Sequence, residues 1–152
     1  MDAATSDDLV PVLTFSLDTQ RYALLIDDVI EVAAMVNLVR TPGARPEILG
    51  VANRHNTPLP MIDLRVVFGQ PATPVSATTF FVVVSDGTRT AGLVLDEIHQ
   101  VEYLPAQQLM GPSNAEDYIR CIISHRAELV QVIALKPLLA AYVTEQITDF
   151  EA

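Results

Sequence analysis

"TTFFVVVSDGTRTAGLVLDEIHQVEYL", Thr78 to Leu104, is the stretch on which the fold turns. Phe80 to Val84 is an unbroken run of aromatic and β-branched residues, Asp86-Gly87 is a turn dipeptide, and the run that follows is again apolar. Such side chains suit a pleated surface, and a short apolar run without polar alternation fits a strand covered on both faces. The stretch predicts a hairpin, with Asp-Gly supplying the positive φ of a tight turn.

Working outward, the same grammar recurs. Upstream, "VLTFSL" (Val12 to Leu17), the polar connector "DTQR" and "YALLI" predict another hairpin. "DDVIEVAAM" predicts one or two helical turns, because Val29, Val32 and Ala33 fall at helical spacing behind acids that suit a helix N-terminus. "RTPGARP" is a loop, and "EILGVANR" and "LPMIDLRVVF" read as strands around a polar hinge. "GQPATP", Gly69 to Pro74, is a linker-like break. Downstream, Gln107 to Asp117 is polar and turn-rich, and "YIRCIISHRAELVQVIAL" gives two short strands around "SHRAE". "KPLLAAYVTEQI" reads as a closing helix with Pro137 in its first turn. Eight or more short strands with few helical turns favour closed or nearly closed β-barrels, and the linker suggests two of them.

Composition narrows the function. Half of the 152 residues are apolar, too many for a disordered chain and enough to leave some for an interface. Nine basic residues against nineteen acidic ones, a net charge of -10, argue against nucleic acid and anionic membrane partners, which need clustered Lys and Arg. The single cysteine, Cys121, makes no intrachain disulfide and suits a reducing compartment. The acidic start "MDAATSDDLV" lacks the basic and apolar parts of a signal peptide, and no apolar run nears the ~20 residues of a membrane span. A soluble, cytoplasmic protein without membrane insertion is expected.

Chemistry finds little to hold. His55 and Asp63 can be drawn as a base and its orienting carboxylate, as a small hydrolase would use them, but no nucleophile is signalled. There is no Gly-x-Ser-x-Gly elbow, and Cys121 sits in "YIRCIIS", where a strand buries it as a small hydrophobe. His55, His99 and His125 are far apart, and Cys121 with His125 makes only two ligands, so no metal site is expected. The six glycines form no phosphate cradle, and no cofactor is expected. Asp63 reads instead as a strand-end carboxylate pairing with Arg65, Arg54 or a backbone N–H, and Asp27, Asp28 and Glu31 as a solvated helix face.

Motif order then carries a resemblance. Val29-Ile30-Glu31-Val32, Gly50-Val51-Ala52-Asn53, Arg54-His55-Asn56, Pro60-Met61-Ile62-Asp63-Leu64-Arg65 and Gly92 to Val101 succeed one another as in the CheW-like family of chemotaxis coupling adaptors. The resemblance runs from about Val12 to Leu139. It implies a mostly β fold of two small five-stranded β-barrel subdomains with short helices on a shared core. Residues 10–143 would form this single domain, with an approximate break near 69–76, between a disordered acidic tail (1–9) and a C-terminal tail (144–152). It also implies a non-enzymatic scaffold without cofactors that joins the regulatory domain of a CheA-type histidine kinase to the helical tip of a methyl-accepting chemoreceptor. Carried over by position, Glu31, Val32 and Leu38 face the kinase, and Val29, Gly50 and His55 face the receptor.

Departures from the pattern shape the expectation. His55-Asn56 stands where the family has Arg-Gly, so a permanent five-donor cation gives way to an imidazole whose charge depends on pH, which puts receptor docking in question. Asn56 still tolerates positive φ, so the turn survives. Pro58 lacks an N–H and belongs at an edge or bulge, and Cys121 stands where many relatives carry glycine. A narrower reading is a specialised adaptor that binds only one of receptor and kinase, or another partner in pilus or gliding motility.

Overall fold

A computed structural model describes residues 8–40, 42–110 and 117–143. The strands are β1 (Leu9–Leu17), β2 (Gln20–Leu25), β3 (Val29–Ala34), β4 (Ile48–Arg54), β5 (Thr57–Asp63), β6 (Phe80–Ser85), β7 (Thr90–Val94), β8 (Glu97–Pro105), β9 (Ile119–His125) and β10 (Glu128–Ile133). Two short helices follow β5 and β10: α1 (Leu64–Val67) and α2 (Leu135–Tyr142). The strands form two five-stranded sheets, the first in the order β8-β1-β2-β10-β9 and the second in the order β3-β6-β7-β5-β4.

The unbroken apolar runs follow from where the two faces of each strand go. Val82 and Val84 point into a core shared by both sheets, with Phe15, Leu17, Tyr22, Leu93 and Leu138. Their neighbours Phe81 and Val83 point the other way, into a cluster with Leu59, Met61 and Val94. In the first sheet Leu13, Phe15 and Leu17 enter the shared core, while Val12 joins Ala23, Leu104, Ile123, Val130 and Val132. Each private cluster draws a side chain from all five strands of its sheet, with Ala33 contributing from β3, so each sheet is rolled around it. With both faces dry there is no water-facing position for a polar residue, and each buried Val, Leu or Phe contributes roughly 1.5–3 kcal/mol.

The two sheets also repeat one plan. A hairpin (β1–β2 or β6–β7) is followed by a strand that crosses to the other sheet (β3 or β8), then by a hairpin and a helix (β4–β5–α1 or β9–β10–α2). Over the crossing strand and second hairpin the match is a constant 71 positions. Glu31↔Val83 corresponds to Glu102↔Val12, and Arg54↔Thr57 to His125↔Glu128. The register shift between Ile48 and Gly50 recurs between Ile119 and Cys121.

Several expectations are corrected here. Only Asp27 and Asp28 of "DDVIEVAAM" are helical, as the end of a 3-10 turn over Ile26–Asp28, and Val29–Ala34 is a strand on β6. Its β-branched Val29, Ile30 and Val32 prefer the pleat, and their spacing fitted either period. "LPMIDLRVVF" stops being a strand at Asp63, whose side chain accepts the Arg65 N–H and caps α1. The apolar run after Asp86-Gly87 is two strands: β7 completes the expected hairpin with β6, and β8 leaves to pair with β1 in the first sheet. Gly69–Pro74 therefore joins α1 to β6 within one sheet, and the chain changes sheets at Ile26–Asp28 and Leu95–Asp96. The N-terminal tail expected through residue 9 gives way to β1 at Leu9, residues 1–7 and the 144–152 tail lie outside the described residues, and so does the end of the closing helix expected beyond Val143.

Candidate functional site

The polar hinge is the tip of the β4–β5 hairpin. Arg54 pairs with Thr57, leaving His55 and Asn56 as a two-residue turn with φ of 53° and 65°. Two successive positive φ values make the turn that matches strand twist, and asparagine is the side chain that accepts this at least cost after glycine. Pro58 lies before Met61, where β5 first pairs with β7, so its missing N–H breaks no ladder on that side. Beside the tip, Val39, Val51, Asn53, Asn56 and Pro58 line a cleft of about 320 Å³.

At the seam between edge strands β3 and β4, Arg54 Nε donates to Glu31 Oε2 at 3.0 Å. Arg54, one residue before His55, thus supplies a permanent cation at the base of the turn. Val32 points away from this seam. It is opposite Val82 of the shared core, whereas Glu31 is opposite Val83 of the private cluster, and neighbouring residues on a strand face opposite sides. Val32 is 44% exposed, as is Phe80 beside it.

Leu38 and Gly50 meet on a third feature. Val39 and Val51 exchange hydrogen bonds of 2.9 and 2.8 Å, laying the Leu38–Val39 segment over β4. Gly50 has φ of 152°, and a Cβ there would stand 2.7 Å from the Val39 carbonyl oxygen and 3.2 Å from the Leu38 Cβ. Both backbone angle and space reserve the position for glycine. Leu38 itself packs against the private cluster of the second sheet, and Val29 against the shared core.

The Asp63 carboxylate is fully engaged at the far end of β5. It accepts from the Arg65 backbone N–H at 3.0 Å, from Nε at 2.9 Å and from Nη2 at 3.1 Å. Arg65 Nη1 donates to Asp96 at 3.2 Å, and the other Asp96 oxygen accepts the Asp18 N–H at 2.6 Å. The hydrogen bonds it donates to Asp63 hold the buried guanidinium above its ordinary pKa. This network ties the end of β5, the β7–β8 crossing and the β1–β2 turn together. The expected pairing of Asp63 with Arg65 is present, and the hydrolase dyad is not: β5 separates His55 from Asp63 by about 20 Å at ~3.3 Å per residue. No cluster of three metal-ligating side chains occurs among the described residues.

The chain matches the CheW-like domain model over residues 11–143. It belongs to the CheW-like family. The chain is 32% identical over 97 residues to the chemotaxis protein CheW of Klebsiella aerogenes, covering 64% of this chain and 58% of that protein. To the chemotaxis protein CheW of Helicobacter pylori it is 24% identical over 119 residues, 74% of this chain and 72% of that one. The match thus spans less than two thirds of the Klebsiella protein. Among solved structures, the scaffolding protein TtCheW from Thermoanaerobacter tengcongensis superposes with a TM-score of 0.74 at 25% identity, over 83% of this chain and 89% of that one.

Within this CheW-like fold, the two sets of positions carried over by resemblance interleave. Glu31 of the kinase set is bonded to Arg54, next to His55 of the receptor set, and Leu38 lies against Gly50. Glu31 and Val32 are not brought onto one face. A separate groove of about 660 Å³, between the first sheet and the end of α1, is lined by residues including Tyr22, Phe68, Gln70, Tyr118, Cys121 and Gln131. Sequence reading offered Arg54 as a partner for Asp63 and missed its pairing with Glu31, and it singled out neither Phe80 nor Ile98. The Arg54–Glu31 pair is signalled only by the place of Arg54 before the turn, and the exposure of Phe80 and Ile98 by no local pattern.

Proposed function

We propose that this chain is a non-enzymatic adaptor that couples chemoreceptor tips to a CheA-type histidine kinase in a cytoplasmic chemosensory pathway. The observation that carries the reading is the CheW-like match from residue 11 to 143, which spans both sheets. Relatives named as chemotaxis and scaffolding proteins support it, and no helix among the described residues is long and apolar enough to cross a membrane. Val32 faces the kinase, Glu31 is fixed by its seam partner Arg54, and Leu38 braces the strap over Gly50. The receptor side is the His55-Asn56 turn with Gly50 and Val29.

Reconstitution tests this. Receptor signalling fragments displayed on vesicles, mixed with the kinase encoded in the same genome, should retain the kinase several-fold better when this protein is present. Retention of neither partner overturns the reading. The imidazole at 55 favours one narrower reading, in which this protein recruits the kinase without docking a standard receptor. A His55→Arg/Asn56→Gly variant that retains more receptor than the wild type would support it.

A further inference from the structure

The internal repeat also matches the two helices, with Leu64 standing 71 positions before Leu135, yet α1 is four residues long and α2 eight. Gly69 makes the difference. Its φ of 70° ends α1, with the Gly69 N–H donating to the Val66 carbonyl and the Gln70 N–H to that of Arg65, a stop that the matching Ala140 does not impose on α2. The groove of about 660 Å³ opens at this shortened end. We propose that the chain's own segment 144–152, "TEQITDFEA", which lies outside the described residues, docks in this groove with Ile147 and Phe150 as its anchors.

The second half of α2 shows what such a place takes. Leu139 enters the shared core, and the Tyr142 hydroxyl donates to Glu47 at 3.3 Å. The Val143 carbonyl then accepts from Arg89 Nε at 3.0 Å. The end of α2 thus bridges from Glu47, before β4, to Arg89, before β7. In the first sheet the matching places are Tyr118, before β9, and the start of β2, and the groove is lined by Tyr118 and by Gln20 at that start. Its α1 side is already ordered, since the Phe68 and Tyr22 rings pack at 5.3 Å and the Gln70 amide donates to the Tyr22 hydroxyl at 3.3 Å.

Reach and spacing select the occupant. The Tyr142 ring is 5.9 Å from that of Tyr118, so α2 ends beside the groove. Ile147 is four residues beyond Val143 and Phe150 seven, reaches of up to about 13 and 23 Å at ~3.3 Å per residue. They repeat the spacing of Leu139 and Tyr142, an aliphatic residue followed three positions later by an aromatic one. Charge is not the attraction, because the wall holds one acid, Asp117, and one base, Arg120. A short tether instead holds the segment at an effective concentration on the order of millimolar, so two apolar anchors suffice in cis where they would hold a separate partner weakly. None of the positions carried over for kinase or receptor lines this groove.

Cys121, the single thiol and part of the groove wall, is the reporter. In the full chain it should react with a maleimide at least fivefold more slowly than in an Ile147→Ala/Phe150→Ala variant, and a synthetic peptide of residues 144–152 added to that variant should slow the reaction again. Equal rates in the two proteins overturn the proposal. The chain has no tryptophan, so Phe150→Trp places a unique indole on the segment. Its emission should be blue-shifted and shielded from iodide, and the emission of a freely exposed indole overturns the docking. A shielded indole with an unchanged thiol rate puts the segment elsewhere and overturns the groove as its site. Shielding that is lost on dilution overturns docking in cis. Both variants alter residues outside the β-sheet domain, so its folding is not at stake in either.

Discussion

At the seam of the second sheet Glu31 meets the Arg54 guanidinium, and at the seam of the first Glu102, 71 positions later, meets the His125 imidazole at 3.1 Å. Both basic residues immediately precede a two-residue turn with two positive φ values, His55-Asn56 in one sheet and Arg126-Ala127 in the other. The exposed seam carries a permanent charge. The other is drier, with Glu102 buried and also bonded by the Gln100 amide. The contrast teaches that turn, bulge and seam are properties of the backbone plan, while the side chains at those positions diverge with the work of each sheet. Asp63 and Arg65 build the buried hub of the second sheet, where the first has Ala134 and exposed Lys136.

The hub offers the largest test of that divergence. Arg65→Ala strands the buried Asp63 carboxylate and should destabilise by about 3–5 kcal/mol in urea unfolding, whereas Lys136→Ala should stay within about 0.5 kcal/mol. Equal losses would mean the hub is not particular to the second sheet. Next is the bulge. Gly50→Ala forces a Cβ into the Val39 carbonyl at an unfavourable φ and should cost about 2–4 kcal/mol, against about 1 kcal/mol or less for Cys121→Ala.

The turns should differ in the opposite sense. Ala127, with φ of 67°, gains about 1 kcal/mol on replacement by glycine, while Asn56→Gly gains only a few tenths, because asparagine already tolerates the conformation. The seams are the smallest test. Arg54→Ala should cost no more than about 1 kcal/mol, since both partners are partly exposed.

For the first sheet the readout is pH. The Gln100 hydrogen bond, then that of His125, holds the Glu102 carboxyl below the ordinary value of 4.5. A depressed carboxylate contributes stability that is complete above its unfolded pKa and lost as pH falls through the folded one. Glu102→Gln should therefore flatten the acid side of the stability profile below about pH 4.5, and an unaltered profile would remove the seam from the account.

Much of this was legible from residues. The hairpins at Val12 and Phe80 were, because aromatic and β-branched runs around turn residues leave few alternatives. The Asp63–Arg65 contact was legible because its partners are two residues apart. The repeat was present in the letters too: Leu59, Met61, Ile62 and Leu64 recur as Val130, Val132, Ile133 and Leu135. What it meant in space was hidden, because nothing local shows that β3 and β8 change sheets. Glu31–Arg54 and Glu102–His125 join edge strands across rolled sheets, and a period-2 pattern fixes a strand's faces without naming its neighbours. The groove at Val32 and Phe80 is hidden for the same reason, since its far wall arrives from β8.

The central claim is that β3 of the second sheet presents the kinase-facing surface of a chemosensory adaptor. Calorimetric titration with the regulatory domain of the CheA-type kinase from the same genome tests it most directly, using the wild type and Val32→Asp. The account predicts micromolar or tighter binding by the wild type and none by Val32→Asp, with equal melting temperatures because Val32 is an exposed position. Wild-type affinity in Val32→Asp, or no heat at two temperatures from the folded wild type, would contradict it.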